Sequence, residues 1–163
     1  MRFAFRSCTD LSIMSIETLL KVMFEGSVNN DVDVLLGSFD ELKRTCTIAD
    51  LPASVSAMQS EQSVFWLREL LSGPITELGG CDCLPVLFNA LSKGEIEGHD
   101  NDLFCSNLRD MARADPIACW EKLESMTAVP DFKHLEMARW LLGYCTAMAL
   151  PIQKANVTLK PCL

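Results

Sequence analysis

The sequence predicts an all-α protein, and three kinds of observation lead to that prediction. Apolar residues recur three and four positions apart along most of the chain. Helix-start residues such as Ser15 and the pair Asp115-Pro116 stand directly before these segments. No segment has the sustained apolar–polar alternation that is typical of strands. We therefore expect about seven or eight helices of ordinary length.

Two amphipathic helices are expected at the start of the folded part. Ser15 is placed to cap the first helix and Gly26 to end it. Asn30 or Asp31 can begin the second helix. The apolar stripes that define these helices are Ile16, Leu19, Leu20, Met23 and Phe24, followed by Val32, Leu35, Leu36, Phe39 and Leu42.

Helix boundaries in the next stretch stay open at the level of sequence. Pro52 suits an early helical position. A helix through Met58 either continues into Trp66 or gives way to a separate helix there. Gly73-Pro74 is expected to end or kink this element, because proline removes a backbone donor and clashes with the preceding turn.

Helix starts in the C-terminal half are marked by acidic and amide residues. Asp82 can cap one helix, and Asp100 or Asn101 can cap the next. Asp115-Pro116 opens a third. A last pattern ends before Pro151, and its apolar positions are Leu135, Ala138, Leu141, Leu142 and Cys145.

Three segments align at a spacing of about 36 residues: 66–71, 104–109 and 138–143. Repeats of helix pairs need stacked neighbours to bury their apolar faces. The spacing therefore favours a right-handed α-solenoid of antiparallel helix pairs over a closed bundle. A non-repetitive helical bundle remains the alternative, because the internal similarity is weak.

Length and composition indicate one domain. The chain has 163 residues, of which 49% are apolar, enough for a continuous core. We expect a single helical-repeat domain at 14–151, with a disordered N-terminal extension at 1–13 as a candidate and a C-terminal tail at 152–163.

The net charge is −8, from 14 basic and 22 acidic residues. This balance argues against nucleic-acid binding, which depends on Lys and Arg, and favours a cationic protein partner. The alternative is that the acidic surface serves only solubility. No apolar run resembles a signal peptide or a membrane span. The eight scattered cysteines are interpreted as reduced thiols. Reduced thiols and the lack of a run resembling a signal peptide or a membrane span together predict a cytoplasmic protein.

An acidic segment bounded by Gly94 is the most conspicuous polar feature of the sequence. We interpret it, with two neighbouring acids, as a partner-binding surface made of Glu69, Glu77, Glu95, Glu97, His99, Asp100, Asn101 and Asp102. The competing interpretation is that the aspartates and the amide only cap the next helix. The segment lacks the ligand spacing of an EF-hand, so no metal site is predicted.

Other candidates for chemistry are weak. Cys81 and Cys83 are one residue apart, which fits neither a zinc knuckle nor a thioredoxin-type pair. His134 is expected on the surface. No phosphate loop or nucleophile elbow is present, so no catalytic residue and no cofactor are predicted. The three tryptophans, Trp66, Trp120 and Trp140, are expected as core anchors.

The block from Phe65 to Asp102, with ELGG, LPVLFNAL and GHDND, resembles bacterial HEAT-like repeat proteins, as does ARWLLGYC near the C-terminus. The resemblance covers roughly residues 63–145. It implies a HEAT/armadillo-like fold and a non-catalytic protein-binding role, such as that of immunity proteins that neutralise a basic domain of a polymorphic toxin. The alternative it leaves open is a HEAT-like enzyme of the lyase type, or a small-ligand-binding protein, with a pocket on the concave face.

Overall fold

The computed structural model of the chain describes residues 14–145. The expected extension at 1–13, the tail at 152–163 and the domain end at residue 151 lie outside the described residues. Between residues 14 and 145 the protein is helical and has no strand. This confirms the all-α prediction.

The helices follow one another with short connections. They are α1 (Ile16–Val28), α2 (Val32–Thr45), α3 (Leu51–Gln59), α4 (Phe65–Gly79), α5 (Leu84–Ile96), α6 (Asp102–Ala114) and α7 (Pro116–Thr127). Residues 135–145 are also helical, and we call them α8. Two short 3₁₀ turns precede α3 and α5, at Ile48–Asp50 and Gly80–Cys83; we call the second the 80–83 turn.

Several helix starts follow the predicted cap chemistry. The side chains of Ser15, Asp31 and Asp115 accept hydrogen bonds from backbone N–H groups three residues later, at 3.3, 3.2 and 3.0 Å. Each bond satisfies one of the N–H groups that a helix leaves without an internal partner. The first, second and seventh helices therefore begin where the sequence predicts.

Helix α4 lies at the centre of the fold and packs against α1, α3, α5 and α6. It is buried around most of its circumference, at Leu67–Ser72 and Pro74–Thr76. Leu71 and Ile75 are completely inaccessible, as are Leu87 and Phe88 of α5. Burial on most sides, at polar as well as apolar positions, gives α4 its core position.

Of the two expected effects of Gly73-Pro74, an end or a kink, the end does not occur, because the helix continues through Pro74 to Gly79. An interior proline costs about 3 kcal/mol or more in a helix. Burial of α4 against four neighbouring helices offsets that cost. The hydroxyl of Thr76 also donates to the carbonyls of Ser72 and Gly73, at 2.8 Å each.

The α1–α2 pair depends on a glycine at the point of closest approach. Gly26 was expected to end α1, but it lies inside the helix, which continues to Val28. A Cβ atom at Gly26 would lie 3.0 Å from the backbone nitrogen of Leu35 in α2. The missing side chain therefore lets the two backbones come together.

Helices α4 and α6 are parallel neighbours joined by polar contacts. Glu69 of α4 contacts Phe104 of α6, and Ser72 contacts Asn107, so both partners advance by one turn in the same direction. The Asn107 side chain donates to the Ser72 hydroxyl at 2.7 Å. The 35-residue offset of each pair is close to the spacing seen in the sequence.

Two other expectations are resolved by the structure. The ambiguous stretch forms separate helices, since α3 ends at Gln59 and α4 starts at Phe65. Trp66 is 58% exposed and is not a core anchor, whereas Trp120 and Trp140 are partly buried against the core. Trp66 projects from the first turn of α4, where the neighbouring helices leave its ring uncovered.

No helix within residues 14–145 combines the length and the apolar character needed to cross a bilayer.

Candidate partner-binding surface

An acidic cleft of about 850 Å³ opens between the C-terminal half of α4, the 80–83 turn, α6 and α7. Among the described residues, five carboxylates and one basic side chain line it. The carboxylates are those of Glu77, Asp82, Asp110, Asp115 and Glu121. Part of the net negative charge is therefore gathered on one concave face, which we call the acidic cleft.

The carboxylates of the acidic cleft differ in how far the protein neutralises them. The Nζ atom of Lys122 lies 2.9 Å from Oδ1 of Asp82, so the cleft's basic residue is already paired. Asp115 is occupied as the cap of α7. Glu77 and Glu121 are exposed and form no ion pair within residues 14–145. These two carboxylates are the most available to an incoming cation.

The acidic segment after α5 is anchored to the start of α4. Arg68 is only 2% exposed, and its guanidinium pairs with the carboxylate of Glu97. The same guanidinium donates to the carbonyl of Ser63. The His99 ring stacks on Phe65, with centroids 4.1 Å apart and planes 20° apart. Two side chains of the predicted contact loop are thus used to hold the loop itself.

A glycine at the end of α5 lets this loop turn back closely. Helix α5 continues past Gly94 to Ile96. The Asn101 side-chain oxygen occupies the space where a Cβ of Gly94 would lie. Gly98 has a φ of +75°, a conformation that most L-residues avoid. The loop is therefore shaped by two glycines and packed against its own helix.

The start of α6 is capped from another helix. Asn101 is the N-cap residue by position, but its side chain makes no capping bond; it donates to the carbonyl of His99 at 3.2 Å. The carboxylate of Glu69 accepts a hydrogen bond from the Phe104 N–H at 3.2 Å. The prediction that Asp100 or Asn101 caps this helix is therefore wrong, because a side chain from α4 fills that role.

Glu69 was predicted to be part of the partner-binding surface, but it lies in the core, at 3% exposure. Its second oxygen, Oε1, is buried without a hydrogen-bond partner among the described residues. Burial raises the pKa of the Glu69 carboxyl, and the charges of Asp100 and Asp102 raise it further. We leave Glu69 out of the candidate contact surface for this reason.

The other predicted contact residues lie on two separate parts of the surface. Glu95, Asp100 and Asp102 are exposed around the loop. Glu77 lies instead in the acidic cleft. The structure therefore does not bring the whole predicted set together.

A second groove, of about 680 Å³, lies between α5, α6 and α8. Trp140 and Tyr144 line it with their rings in an edge-on pair, 5.4 Å between centroids. Arg109 also lines it, and its Nε atom is buried with no hydrogen-bond partner among the described residues. Glu95 and Asp102 lie at the same groove, so its charge is mixed.

His134 at the start of α8 is buried, which contradicts the prediction of a surface histidine. It is 7% exposed, and its Nε2 atom lies 2.7 Å from the side-chain oxygen of Asn89 in α5. Burial lowers the pKa of His134, and the charge of Lys133 lowers it further. His134 therefore joins two helices as a neutral ring.

Sequence reasoning missed most of the acidic cleft. Asp82 and Asp115 were interpreted only as helix caps, and Asp110 and Glu121 were not singled out at all. Their common feature is spatial: α6 and α7 fold back so that residues far apart in the chain face the same opening. Acidic residues near the ends of consecutive predicted helices were the available signal. The buried Arg68 carried no signal, since arginine is normally exposed.

No group of three or more His, Cys, Asp or Glu side chains within residues 14–145 is arranged to hold a metal ion.

No protein-family model matches the chain, and no curated protein or solved structure is significantly similar to it.

Proposed function

We propose that the protein is a non-catalytic interaction module that binds a cationic surface of another protein. The observation that carries this proposal is the acidic cleft, in which Glu77 and Glu121 are exposed and unpaired within the described residues. Complementary charge steers encounters and disfavours wrong partners. A partner that places Lys or Arg in the cleft would find those carboxylates without first displacing an internal cation.

The acidic loop supports the same role from a neighbouring face. Its anchors, Arg68 and the ring of Phe65, hold Glu97 and His99 in place before any partner arrives. A pre-ordered loop loses little conformational entropy on binding. Asp100 on this loop and Asp102 at the start of α6 remain exposed and can extend the contact.

We further propose that the helices form a short HEAT/armadillo-like α-solenoid. Parallel contact between alternate helices, α4 and α6, is what stacking of successive helix pairs requires. The close α1–α2 pair supplies a unit of the same kind. Such stacking leaves one face open, and solenoids use that face for protein binding.

The resemblance of the Phe65–Asp102 block to HEAT-like immunity proteins suggests a particular partner class. In that role, the protein would cover a basic domain of a toxin and block its active face. The acidic balance of the chain, with a net charge of −8, suits that task.

The experiment is a binding titration with the product of an adjacent toxin-like gene, using wild type and two matched variants. Glu121→Lys reverses a charge in the cleft, and Glu124→Lys reverses an exposed charge on the same helix but outside the cleft. We expect Glu121→Lys to weaken binding about tenfold or more and Glu124→Lys to change it little. Binding should also weaken with added salt, because exposed charges are screened.

No binding to that product would remove the toxin-neutralising role. Equal effects of the two variants would show that general charge, and not the cleft, attracts the partner. Restored growth of cells that co-express the toxin, lost with Glu121→Lys alone, would support the proposal in vivo.

A second candidate function, small-ligand binding, draws on the groove between α5, α6 and α8. The Arg109 side chain, which lines the groove together with Trp140 and Tyr144, suits a flat anionic ligand. Native mass spectrometry of the purified protein would reveal such a ligand as an added mass. An Arg109→Met variant should lose it if the groove is the site.

A further inference from the structure

A small apolar pocket lies where the end of α1, the start of α2 and the start of α4 meet. Its volume is about 220 Å³, and we call it the Trp66 pocket. Its apolar lining consists of Val32, Leu35 and Leu36 of α2 and of Trp66 and Leu70 of α4. It shares no lining residue with the acidic cleft, so it is a separate feature of the surface.

The rim of the Trp66 pocket is exposed to an extent that apolar side chains seldom are in a group. Val32 is 59% exposed, Leu36 46% and Trp66 58%. Single exposed apolar side chains are normal, but a contiguous group around a concavity is typical of a binding site. An apolar cavity of about 150 Å³ is large enough to bind benzene. The Trp66 pocket therefore has room for one aromatic ring.

Two carboxylates flank this rim on α2. Asp33 lies three residues before Leu36 and Asp40 four residues after it, so all three share one side of the helix. Both aspartates are exposed, and neither forms an ion pair with a residue of the range 14–145. The next base along the helix is Lys43, whose Nζ atom lies over the Phe39 ring, 5.6 Å from its centroid. The surface thus fits an aromatic ring that is flanked by positive charge.

Residues 1–13 of the chain have the matching chemistry. The stretch from Arg2 to Arg6 reads RFAFR, with two aromatic rings between two guanidinium groups. Side chains two positions apart lie on the same face of an extended chain. One of the rings can then enter the pocket while the other covers the exposed indole of Trp66.

The pocket is also within reach of this segment. Gly26, which lines the pocket, follows Met14 by twelve residues, or about 18 Å along a helix. The nine residues from Phe5 to Met14 span up to about 30 Å when extended. Residues 146–163 fit less well, because they contain no aromatic residue and follow α8, which is joined to α5.

We propose that the Trp66 pocket is the docking site for residues 1–13 of the same chain, with the Phe5 ring in the pocket. The guanidinium groups of Arg2 and Arg6 would then lie beside the two flanking carboxylates. Exposed ion pairs add little affinity, so the ring supplies most of the binding and the arginines select the orientation. Docking would order a segment that we expected as a candidate disordered extension.

The test is photo-cross-linking in the full chain, with a photoreactive ring in place of Phe5. Irradiation of Phe5→p-benzoylphenylalanine should give cross-links to residues 32–36 or 66–70, identified by proteolysis and mass spectrometry. Leu159→p-benzoylphenylalanine carries the same group near the other end of the chain and should not label the pocket. Isotope-labelled and unlabelled protein are mixed before irradiation, and we expect both halves of each cross-link to come from one chain.

Two substitutions of exposed apolar residues show whether the pocket itself is needed. Leu36→Asp places a charge on the rim and should lower the cross-link yield about tenfold or more. Val129→Asp is the matched control, because Val129 is 55% exposed and does not line the pocket. The yield of this control should equal that of the parent protein. Arg2→Glu combined with Arg6→Glu should also lower the yield, because the flanking carboxylates would then repel the segment.

The proposal is overturned if position 5 cross-links to the acidic cleft, to no preferred place, or to nothing at all. It is likewise overturned if labelled and unlabelled chains are joined to each other, since the occupant is then a second copy. Equal yields in Leu36→Asp and Val129→Asp would show that the pocket does not hold the ring. Circular dichroism of each variant before irradiation separates lost docking from a lost fold.

Discussion

Glu69 and Phe104 are joined by a hydrogen bond in which the backbone N–H of Phe104 in α6 donates to the carboxylate of Glu69 in α4, at 3.2 Å. The bond replaces the local cap that α6 lacks. It also places an ionisable group in the core, at 3% exposure. The stability of the α4–α6 contact therefore depends on the protonation of one side chain.

Replacing Glu69 should separate its capping role from its charge. Glu69→Ala removes the acceptor and leaves the Phe104 N–H unsatisfied, so we expect a loss of about 1–3 kcal/mol in the free energy of unfolding. Glu69→Gln keeps an acceptor and removes the buried charge, so it should be neutral or stabilising near pH 7. Urea denaturation of both variants measures the difference, and equal losses would contradict the capping role.

The pH dependence of stability offers a second test of Glu69. Its pKa in the folded protein is raised above the ordinary value of 4.5, so the folded state binds that proton more tightly than the unfolded state. The free energy of unfolding should therefore fall as pH rises from 4.5 through the raised pKa. Glu69→Gln should lack this fall. Denaturation curves over that range, which should converge toward the acid end, provide the measurement.

Arg68 and Glu97 should be strongly coupled. Arg68→Met or Glu97→Gln alone breaks a pair whose cation is buried, and the loss for a fully buried pair is about 3–5 kcal/mol. Because the Glu97 side chain is 34% exposed, water solvates part of the site. We therefore expect the loss of stability in Glu97→Gln to be smaller than that range. The double variant should lose less than the sum of the two single variants.

The exposed pair Arg139–Glu136 is the matched control for this cycle. Exposed ion pairs contribute about 0–1 kcal/mol, so its cycle should show almost no coupling. Similar coupling energies for the two pairs would mean that burial of Arg68 has no energetic effect.

Two glycines in the first helix pair should respond in opposite directions to alanine. Gly26→Ala places a Cβ 3.0 Å from the Leu35 backbone, so we expect a loss of about 1–3 kcal/mol. Gly37 of α2 has nothing within 4 Å of the same position. Gly37→Ala should stabilise the protein by about 0.5–1 kcal/mol through helix propensity. Thermal denaturation of the two variants checks the signs.

His134 should make the protein sensitive to acid. Its pKa in the folded state lies below the ordinary value of 6.5, so the unfolded chain binds the proton more readily. The free energy of unfolding should fall as pH drops below 6.5 toward the lowered folded pKa. His134→Gln, which cannot be charged, should flatten this part of the curve. If the slope of the free energy of unfolding against pH is unchanged in His134→Gln, groups other than His134 cause the acid sensitivity.

Local sequence rules predicted the all-α class and many helix starts. Ser15, Asp31 and Asp115 act as caps because the capping bond spans only three residues of the chain. Such contacts depend little on the rest of the fold. The spacing of the apolar residues likewise predicted the helical segments, since one helix face must be buried wherever neighbours pack.

Rules of the same kind failed where tertiary contacts decide the outcome. Pro74 does not end α4, because burial around most of the helix offsets the local cost. Asn101 occupies the N-cap position of α6, but the carboxylate of Glu69 in α4 caps the helix. No local sequence pattern contains this contact between two helices. The acidic cleft was only partly predicted for the same reason, since Glu77 and Glu121 come to line the same cleft through folding alone.

The many-sided contacts of α4 set a limit on how this architecture can vary. In a stack of helix pairs, a pair at either end has one neighbouring pair, whereas a pair in the middle has two. Here α4 touches α1 and α3, which precede it in the chain, and α5 and α6, which follow it. Deleting a helix pair or duplicating one would uncover α4 or displace its neighbours. Variation in length should therefore be tolerated at the two ends of the chain and resisted in the middle.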